Sequence, residues 1–252
     1  MTSKRQRLDL LLVERQLVES RERAQALILA GSVKVDGQPA DKPGRLTATD
    51  SHIEIKQALK YVSRGGFKLE AALAQFGVSV RGRICMDVGT STGGFTDCLL
   101  QHGALRVHAV DTGAGQIDWK LRSDSRVILH ERVNARYLTH AEIGEVADVI
   151  ACDVSFISVT LLVRPLASLL APDGDWIILI KPQFEVGRER VGKGGIVRDD
   201  AAHELARAKV TRAVQEAGFT ASIIDSPILG TEGNREFLLH ARRNSSEERA
   251  GH

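Results

Sequence analysis

At 252 residues and 43% hydrophobic content, the chain has room for one domain of ordinary size and a smaller second one. No apolar run approaches the ~20 residues of a membrane span, and the first apolar stretch, residues 8–18, is interrupted by Asp9, Glu14 and Arg15, so a membrane protein and a secretory leader are excluded and a soluble cytoplasmic protein is expected. The net charge is only +2, and the three cysteines, Cys85, Cys98 and Cys152, are odd in number and far apart, which argues against a disulfide framework or a zinc site and for packing roles.

The charge is unevenly spread: residues 1–70 carry 13 Lys and Arg against 9 Asp and Glu, and residues 71–252 carry 21 against 23. A solvated face is the default for so modest an excess, but placement adds meaning. Leu8, Leu11, Leu12 and Arg15 recur at helical spacing, and a second helix is predicted from Ser20 as N-cap to Gly31 just past its end. Arg21 and Arg23 stand in its first turn, where a cation opposes the helix dipole at about 0.3–1 kcal/mol, which points to a phosphate partner. A strand at residues 33–35, the Asp36-Gly37 hairpin signal, a polar loop through Pro39, Pro43 and Gly44, and a strand at 53–55 complete the module. It displays Arg5, Arg7, Arg21, Arg23, Lys34 and Lys42. No Phe, Trp or Tyr precedes Tyr61, so contacts to phosphates and shape are expected rather than stacking of single-stranded bases.

Residues 56–66 form the expected join, with Arg64 beside a glycine pair. A helix then runs through Phe67, Leu69, Leu73 and Phe76 to Gly77, with Lys68 in its first turn. Beyond it, apolar strands at 84–88, 107–110, 127–129, 149–152, 176–180, near 223–224 and at 237–239 are separated by helical stretches. That alternation predicts an α/β fold with a mostly parallel sheet, helices on both faces and an antiparallel edge strand. The polar residues from Asn244 read as a disordered tail.

The strand at 84–88 breaks into Gly89-Thr-Ser-Thr-Gly93-Gly94 and continues at helical spacing through Phe95 and Leu99. Glycines here permit a tight turn and close approach of a ligand, and a new helix end favours an anion. The turn has neither the Gly-Lys-Ser/Thr end of a P-loop nor dinucleotide G-x-G-x-x-G spacing, which argues against ATP and ranks NAD second. The next strand ends in Asp111, 22 residues after Gly89, where doubly wound folds keep the carboxylate that grips an adenosine ribose. Asn134 is an adenine-side candidate and equally a turn residue. An ordinary βα turn with a capping Asp is the plain structural alternative.

Asp153 follows the strand at 148–152 and Lys181 the strand at 176–180, both at the sheet edge where open α/β folds bind ligands. Glu236 opens the strand leading to His240 and reaches the same edge if that strand is antiparallel. Any one of these, or Lys68, would alone read as a surface ion pair; four together read as a site. A ribose 2′-hydroxyl must shed its proton as it attacks an electrophilic methyl, and an uncharged lysine can take it. In this reading Lys181 is the base, Lys68 supplies a second positive charge and holds the hydroxyl, Asp153 orients Lys181, Glu236 fixes the lysines, and no metal is required. The glycine-rich basic loop that follows, carrying Arg188, Arg190, Lys193 and Arg198, is either solvated or closes over RNA.

Residues 7–13, 20–24 and 30–37 together resemble the S4 RNA-binding domain over about the first 55 residues. The quartet Lys68, Asp153, Lys181 and Glu236, the turn Asp-Val-Gly-Thr-Ser-Thr-Gly-Gly-Phe-Thr-Asp at 87–97, and the segments Tyr-Val-Ser-Arg-Gly-Gly-Phe-Lys-Leu (61–69), Asp-Val-Ser-Phe-Ile-Ser (153–158) and Lys-Pro-Gln-Phe-Glu (181–185) resemble the TlyA, or hemolysin-A-like, family over nearly the whole chain. The resemblance implies an S4 domain at 1–57, a linker at 58–66, an FtsJ/RrmJ-like class I methyltransferase domain at 67–243 and a tail at 244–252. It implies transfer from S-adenosylmethionine to the 2′-oxygen of a cytidine in ribosomal RNA, free or in subunits. The implied cofactor set is Asp87, Gly89, Ser91, Thr92, Gly93, Gly94, Phe95, Asp111 and Asn134; the implied RNA contacts are Arg5, Arg7, Arg21, Arg23, Lys34, Arg64, Arg188 and Lys193. A base-amino methyltransferase would place two prolines after Asp153, and a cytosine-C5 enzyme would need a cysteine nucleophile. A methyltransferase fold kept only for RNA binding and a membrane-active hemolysin are the remaining alternatives.

Overall fold

The structure is a computed structural model that describes residues 4–55, 60–230 and 232–244. The chain divides into two compact units, Met1–Lys60 and Tyr61–His252. In the smaller unit, β1 (Arg5–Arg7) leads into α1 (Leu8–Glu14) and α2 (Arg21–Leu29), followed by β2 (Val33–Val35), β3 (Gln38–Ala40), β4 (Leu46–Ala48) and β5 (Ile53–Ile55). Leu8, Leu12, Ala24, Ile28, Val33 and Val35 form its core. Ser20 caps α2 by accepting the Arg23 N–H at 3.2 Å, and Gly31 takes φ +68 past its end, as the sequence predicts. Asp36 and Gly37, at φ +51 and +76, join the paired residues Val35 and Gln38 in the two-residue turn that suits hairpin twist. The expected loop after Gly37 instead contains β3 and β4. Pro39 is accommodated because β3 is an edge strand, order β3-β2-β5.

Arg21 has a partner within the protein that the sequence does not reveal: its Nε donates to Asp9 at 3.0 Å, and Asp9 is fully buried. Arg7 donates to both oxygens of the same carboxylate, at 3.0 and 2.9 Å, and Gln25 adds a bond at 3.0 Å. These donors hold the Asp9 carboxyl well below the usual carboxylate range. Arg7 and Arg21 therefore have a structural reason to be present, whereas Arg5, Arg23 and Lys34 are simply exposed.

The larger unit begins with α3 (Gly65–Phe76), two residues ahead of its predicted start, and α3 ends at Gly77 with φ +67. Of the expected join, residues 56–59 lie outside the described residues, as does the expected tail beyond Asn244. Next come β6 (Ile84–Val88), α4 (Gly94–Gln101), β7 (Arg106–Asp111), α5 (Trp119–Arg122), β8 (Val127–Glu131), α6 (His140–Ile143) and β9 (Ala147–Cys152). They are followed by α7 (Val163–Leu169), β10 (Leu170–Ile180), α8 (Pro182–Glu185), α9 (Asp200–Glu216), β11 (Phe219–Asp225) and β12 (Phe237–Arg243).

The sheet order is β11-β12-β10-β9-β6-β7-β8. β10, β9, β6, β7 and β8 are parallel, and β12 runs antiparallel to both of its neighbours. The reversed strand thus lies one place in from the edge, with β11 outermost. Successive residues of β10 serve opposite faces: Trp176, Ile178 and Ile180 pack with α7 and α9, Ile177 and Leu179 with α3 and α4. Burial on both faces explains why these strands read as continuous apolar runs.

Candidate active site

Strand order reverses between β6 and β9, the topological switch point at which open α/β sheets hold ligands. Val88 is in register with Cys152, so Gly89 and Asp153 leave the sheet side by side. A Cβ on Gly89, at φ +87, would meet the Asp153 carbonyl oxygen at 2.3 Å. Gly93, at φ +97, packs so that a Cβ would strike Leu121 at 2.3 Å. The first demand of these glycines is therefore close chain packing, a role that the sequence alone assigns to the ligand.

Among the described residues, two sizeable clefts open on this edge. One, about 290 Å³, is lined by Lys68, Asp153, Lys181 and Glu236 together with Arg64, Gly89, Ser91, Thr92, Gly94 and Phe95. The other, about 540 Å³, lies under Asp111 and Asn134 with an apolar wall that includes Val88, Val110, Val133 and Leu162. Gly89, Ser91, Asp153 and Ser155 border both.

The quartet resolves into two ion pairs. Lys68 Nζ meets Glu236 at 2.5 Å, and Lys181 Nζ meets Asp153 at 2.5 Å while donating to Ser155 Oγ at 2.8 Å. The pairing of Ile180 with Phe237 sets Lys181 and Glu236 opposite each other across β10 and β12, as the antiparallel expectation required. Yet Glu236 is spent on Lys68, and the residue that holds Lys181 is Asp153. Ser155 is a partner that sequence reasoning missed; its only signal is its place two residues beyond Asp153.

Asp111 accepts from the Ser91 N–H at 2.8 Å and the Gly113 N–H at 2.7 Å, which leaves carboxylate lone pairs for further donors. Asn134 caps the short turn Ala135–Tyr137 by accepting from the Arg136 N–H at 3.0 Å, and it also borders the second cleft, so the turn role and the place beside the cleft coexist in one side chain. Asp87 lines neither cleft. It sits buried beneath the turn, with Oδ2 accepting from the Thr96 N–H at 2.9 Å and the Thr96 hydroxyl at 2.6 Å, while Oδ1 has no partner. Burial pushes this carboxyl up to about 7. Cys152 is fully buried and its thiol is pushed up by burial, which removes it as a nucleophile for cytosine C5 chemistry.

Arg64, Arg188 and Lys193 are exposed. The loop that carries Arg188 and Lys193 is built from two short turns, Arg188–Arg190 and Lys193–Gly195, rather than being featureless. Its far end is held from inside by Asn234, 1% exposed, which accepts from the Val197 N–H at 2.8 Å and donates to the Gly195 carbonyl at 2.9 Å. Among the described residues no helix is long and apolar enough to cross a membrane.

The family model of FtsJ-like methyltransferases matches residues 61–243, and that of the S4 domain matches residues 6–46. YqxC of Bacillus subtilis, whose name assigns it provisionally to rRNA methylation, is 49% identical over 95% of this chain and 86% of its own. The 16S/23S rRNA (cytidine-2'-O)-methyltransferase TlyA of Mycobacterium tuberculosis is 42% identical over 95% and 91%. A Streptococcus thermophilus structure that carries a hemolysin name aligns at TM-score 0.73 and 42% identity over 97% of this chain and 90% of that one. The fold alone, at TM-score 0.50 and 16% identity, extends to a Synechocystis magnesium protoporphyrin IX methyltransferase solved with bound SAM. The chain belongs to the TlyA group of FtsJ-like methyltransferases, with an S4 domain ahead of the methyltransferase fold.

Proposed function

We propose that the protein transfers the methyl group of S-adenosylmethionine to the 2′-hydroxyl of a cytidine ribose in ribosomal RNA. The observation that carries this reading is the pair of clamped lysines lining one cleft that shares Gly89, Ser91, Asp153 and Ser155 with a second cleft suited to adenosine. The donor supplies a sulfonium-bound methyl group. Asp111, with lone pairs to spare, and the apolar wall of the larger cleft would hold its adenosine, and the turn at Gly89–Gly94 would seat the rest.

Lys181 would act on the hydroxyl. An uncharged amine has two N–H donors and one lone pair; Ser155 takes one donor, Asp153 lies 2.5 Å from Nζ to stabilise the cation once it forms, and the lone pair would be free for the 2′-hydroxyl proton. Lys181 Nζ would take the 2′-hydroxyl proton as the oxygen bonds to the methyl carbon, whose bond to sulfur would break to leave a neutral thioether. Lys68, held by Glu236, contributes positive charge beside the developing oxyanion. Orientation of both substrates supplies on the order of 7–11 kcal/mol of the barrier reduction. The similarity to TlyA supports cytidine as the nucleotide, and the S4 domain with exposed Arg5, Arg23 and Lys34, together with Arg64, Arg188 and Lys193 on the larger unit, supports a structured RNA. This chemistry suits the cytoplasm, where ribosomal RNA lies.

Labelled methyl transfer to ribosomal subunits and to free ribosomal RNA, followed by nucleoside digestion, tests the reading. Label on a cytidine ribose, lost in Lys181→Ala while cofactor binding survives, is expected. Cofactor binding without label on any RNA would favour a fold retained for RNA binding alone.

A further inference from the structure

Glu185 is a buried carboxylate that the chemistry above does not use. It ends α8, the short helix for which Lys181 is the N-cap residue, and its side chain is 2% exposed. An ionised carboxylate is driven from such a place unless donors satisfy it. Here Oε1 accepts from the Val159 N–H at 2.8 Å and Oε2 from the Ser158 hydroxyl at 2.5 Å. Lys209 of α9 stands 3.2 Å from Oε2 and donates to the Glu185 carbonyl at 2.7 Å.

Ser158 and Val159 lie at the far end of the stretch that Asp153 begins. That stretch carries Ser155, the partner of Lys181, and Phe156, whose φ of +66 is unfavourable for a bulky side chain. Its near end is tied to the sheet by the Asp153 N–H, which donates to the Val88 carbonyl at 2.8 Å. Its far end is tied by Glu185. The segments following β9 and β10 are thus joined twice: by Lys181 to Asp153 and Ser155, and one helical turn later by Glu185 to Ser158 and Val159.

We propose that Glu185 is a positioning residue for methyl transfer. It clamps the far end of the strained 153–158 stretch, so that Asp153 and Ser155 keep Lys181 in a reactive pose without Glu185 touching either substrate. This inference rests on the methyl transfer reading above. A carboxylate that merely stabilises the core would alter melting and leave turnover of the folded protein unchanged.

The test is steady-state methyl transfer by the full chain to ribosomal RNA and subunits, with Glu185→Ala, Glu185→Gln and Ser158→Ala beside the wild type. Since misplacement by about 1 Å can cost 10²-fold in rate, kcat in Glu185→Ala should fall by about 100-fold, with RNA KM and cofactor affinity changed by no more than roughly threefold. Glu185→Gln, which can still accept from Val159 and donate to Ser158, should restore most of kcat. Ser158→Ala removes the same hydrogen bond from the other side, so a poorly folding Glu185→Ala would leave the proposal open to refutation: an unchanged kcat in Ser158→Ala would then overturn it. Wild-type kcat in folded Glu185→Ala, or loss of cofactor affinity in step with kcat, would also overturn it while leaving the methyl transfer reading intact. A wild type that places no label on ribose would overturn that reading, and this inference with it.

Discussion

Lys68 and Glu236 meet at 2.5 Å although 168 residues separate them in sequence, and their side chains are only 10% and 3% exposed. Removal of one partner leaves the other charge buried and uncompensated, a loss of about 3–5 kcal/mol. Glu236→Ala should therefore lower stability in urea melts as well as abolish transfer. Lys68→Met combined with Glu236→Leu should recover the stability and stay inactive. Methyl transfer by that double variant would assign the pair a structural role only.

Asp87 gives a pH signature. Because burial raises its carboxyl to about 7, the folded chain takes up a proton between the ordinary carboxylate range and about 7. The unfolded chain binds fewer protons in that window, so stability falls as pH rises through it and levels off above. Asp87→Asn can still accept from Thr96 but carries no charge. Its melting temperature should gain on the wild type from pH 4.5 to 7.5, about the window the shift defines; a constant difference would mean the carboxyl is not shifted.

In the smaller unit these basic residues should sort into two classes. Arg7→Ala or Arg21→Ala strips a donor from buried Asp9 and should lower the melting temperature as well as RNA affinity. Arg5→Ala, Arg23→Ala and Lys34→Ala should leave melting unchanged and reduce the slope of affinity against salt, by roughly one unit for each phosphate left without its cation. Equal thermal effects in both groups would refute the division.

Asn234→Ala should free the basic loop. It leaves the Val197 N–H without its acceptor, a penalty of about 1–3 kcal/mol. Trypsin should then cut faster at Arg188, Arg190, Lys193 or Arg198, and RNA should bind more weakly with cofactor affinity intact. Unchanged digestion kinetics would show that the loop is held from elsewhere.

Much of this architecture is legible in the order of residues. Apolar runs such as 84–88 and 149–152 announce buried parallel strands because helices cover both faces, and Gly31 and Gly77 mark helix ends through their left-handed backbone. The strands β1 (Arg-Gln-Arg), β3 (Gln-Pro-Ala) and β4 (Leu-Thr-Ala) are hidden because they lack the β-branched apolar–polar–apolar pattern that marks the equally short β2 (Val-Lys-Val) and β5 (Ile-Glu-Ile). The quartet can be picked out from its places at strand ends, but its division into Lys68–Glu236 and Lys181–Asp153 cannot, since pairing depends on side-chain reach across separate elements. Asp9 is deceptive for the same reason: in the first turn of α1 it looks solvated, and its donors come from 2, 12 and 16 residues away.

The reversed strand imposes an order on synthesis. Among the described residues β11 pairs with no strand but β12, which follows it in the chain, so during translation it has no neighbour on the sheet until the residues after Glu236 emerge. A nascent chain halted before that point already holds the glycine turn and both lysines, while Lys68 still lacks its carboxylate. Loss of the segment from Glu236 onwards would therefore take away the partner of β11 and the carboxylate of Lys68 together, so the sheet edge and the cleft depend on the same short stretch of chain.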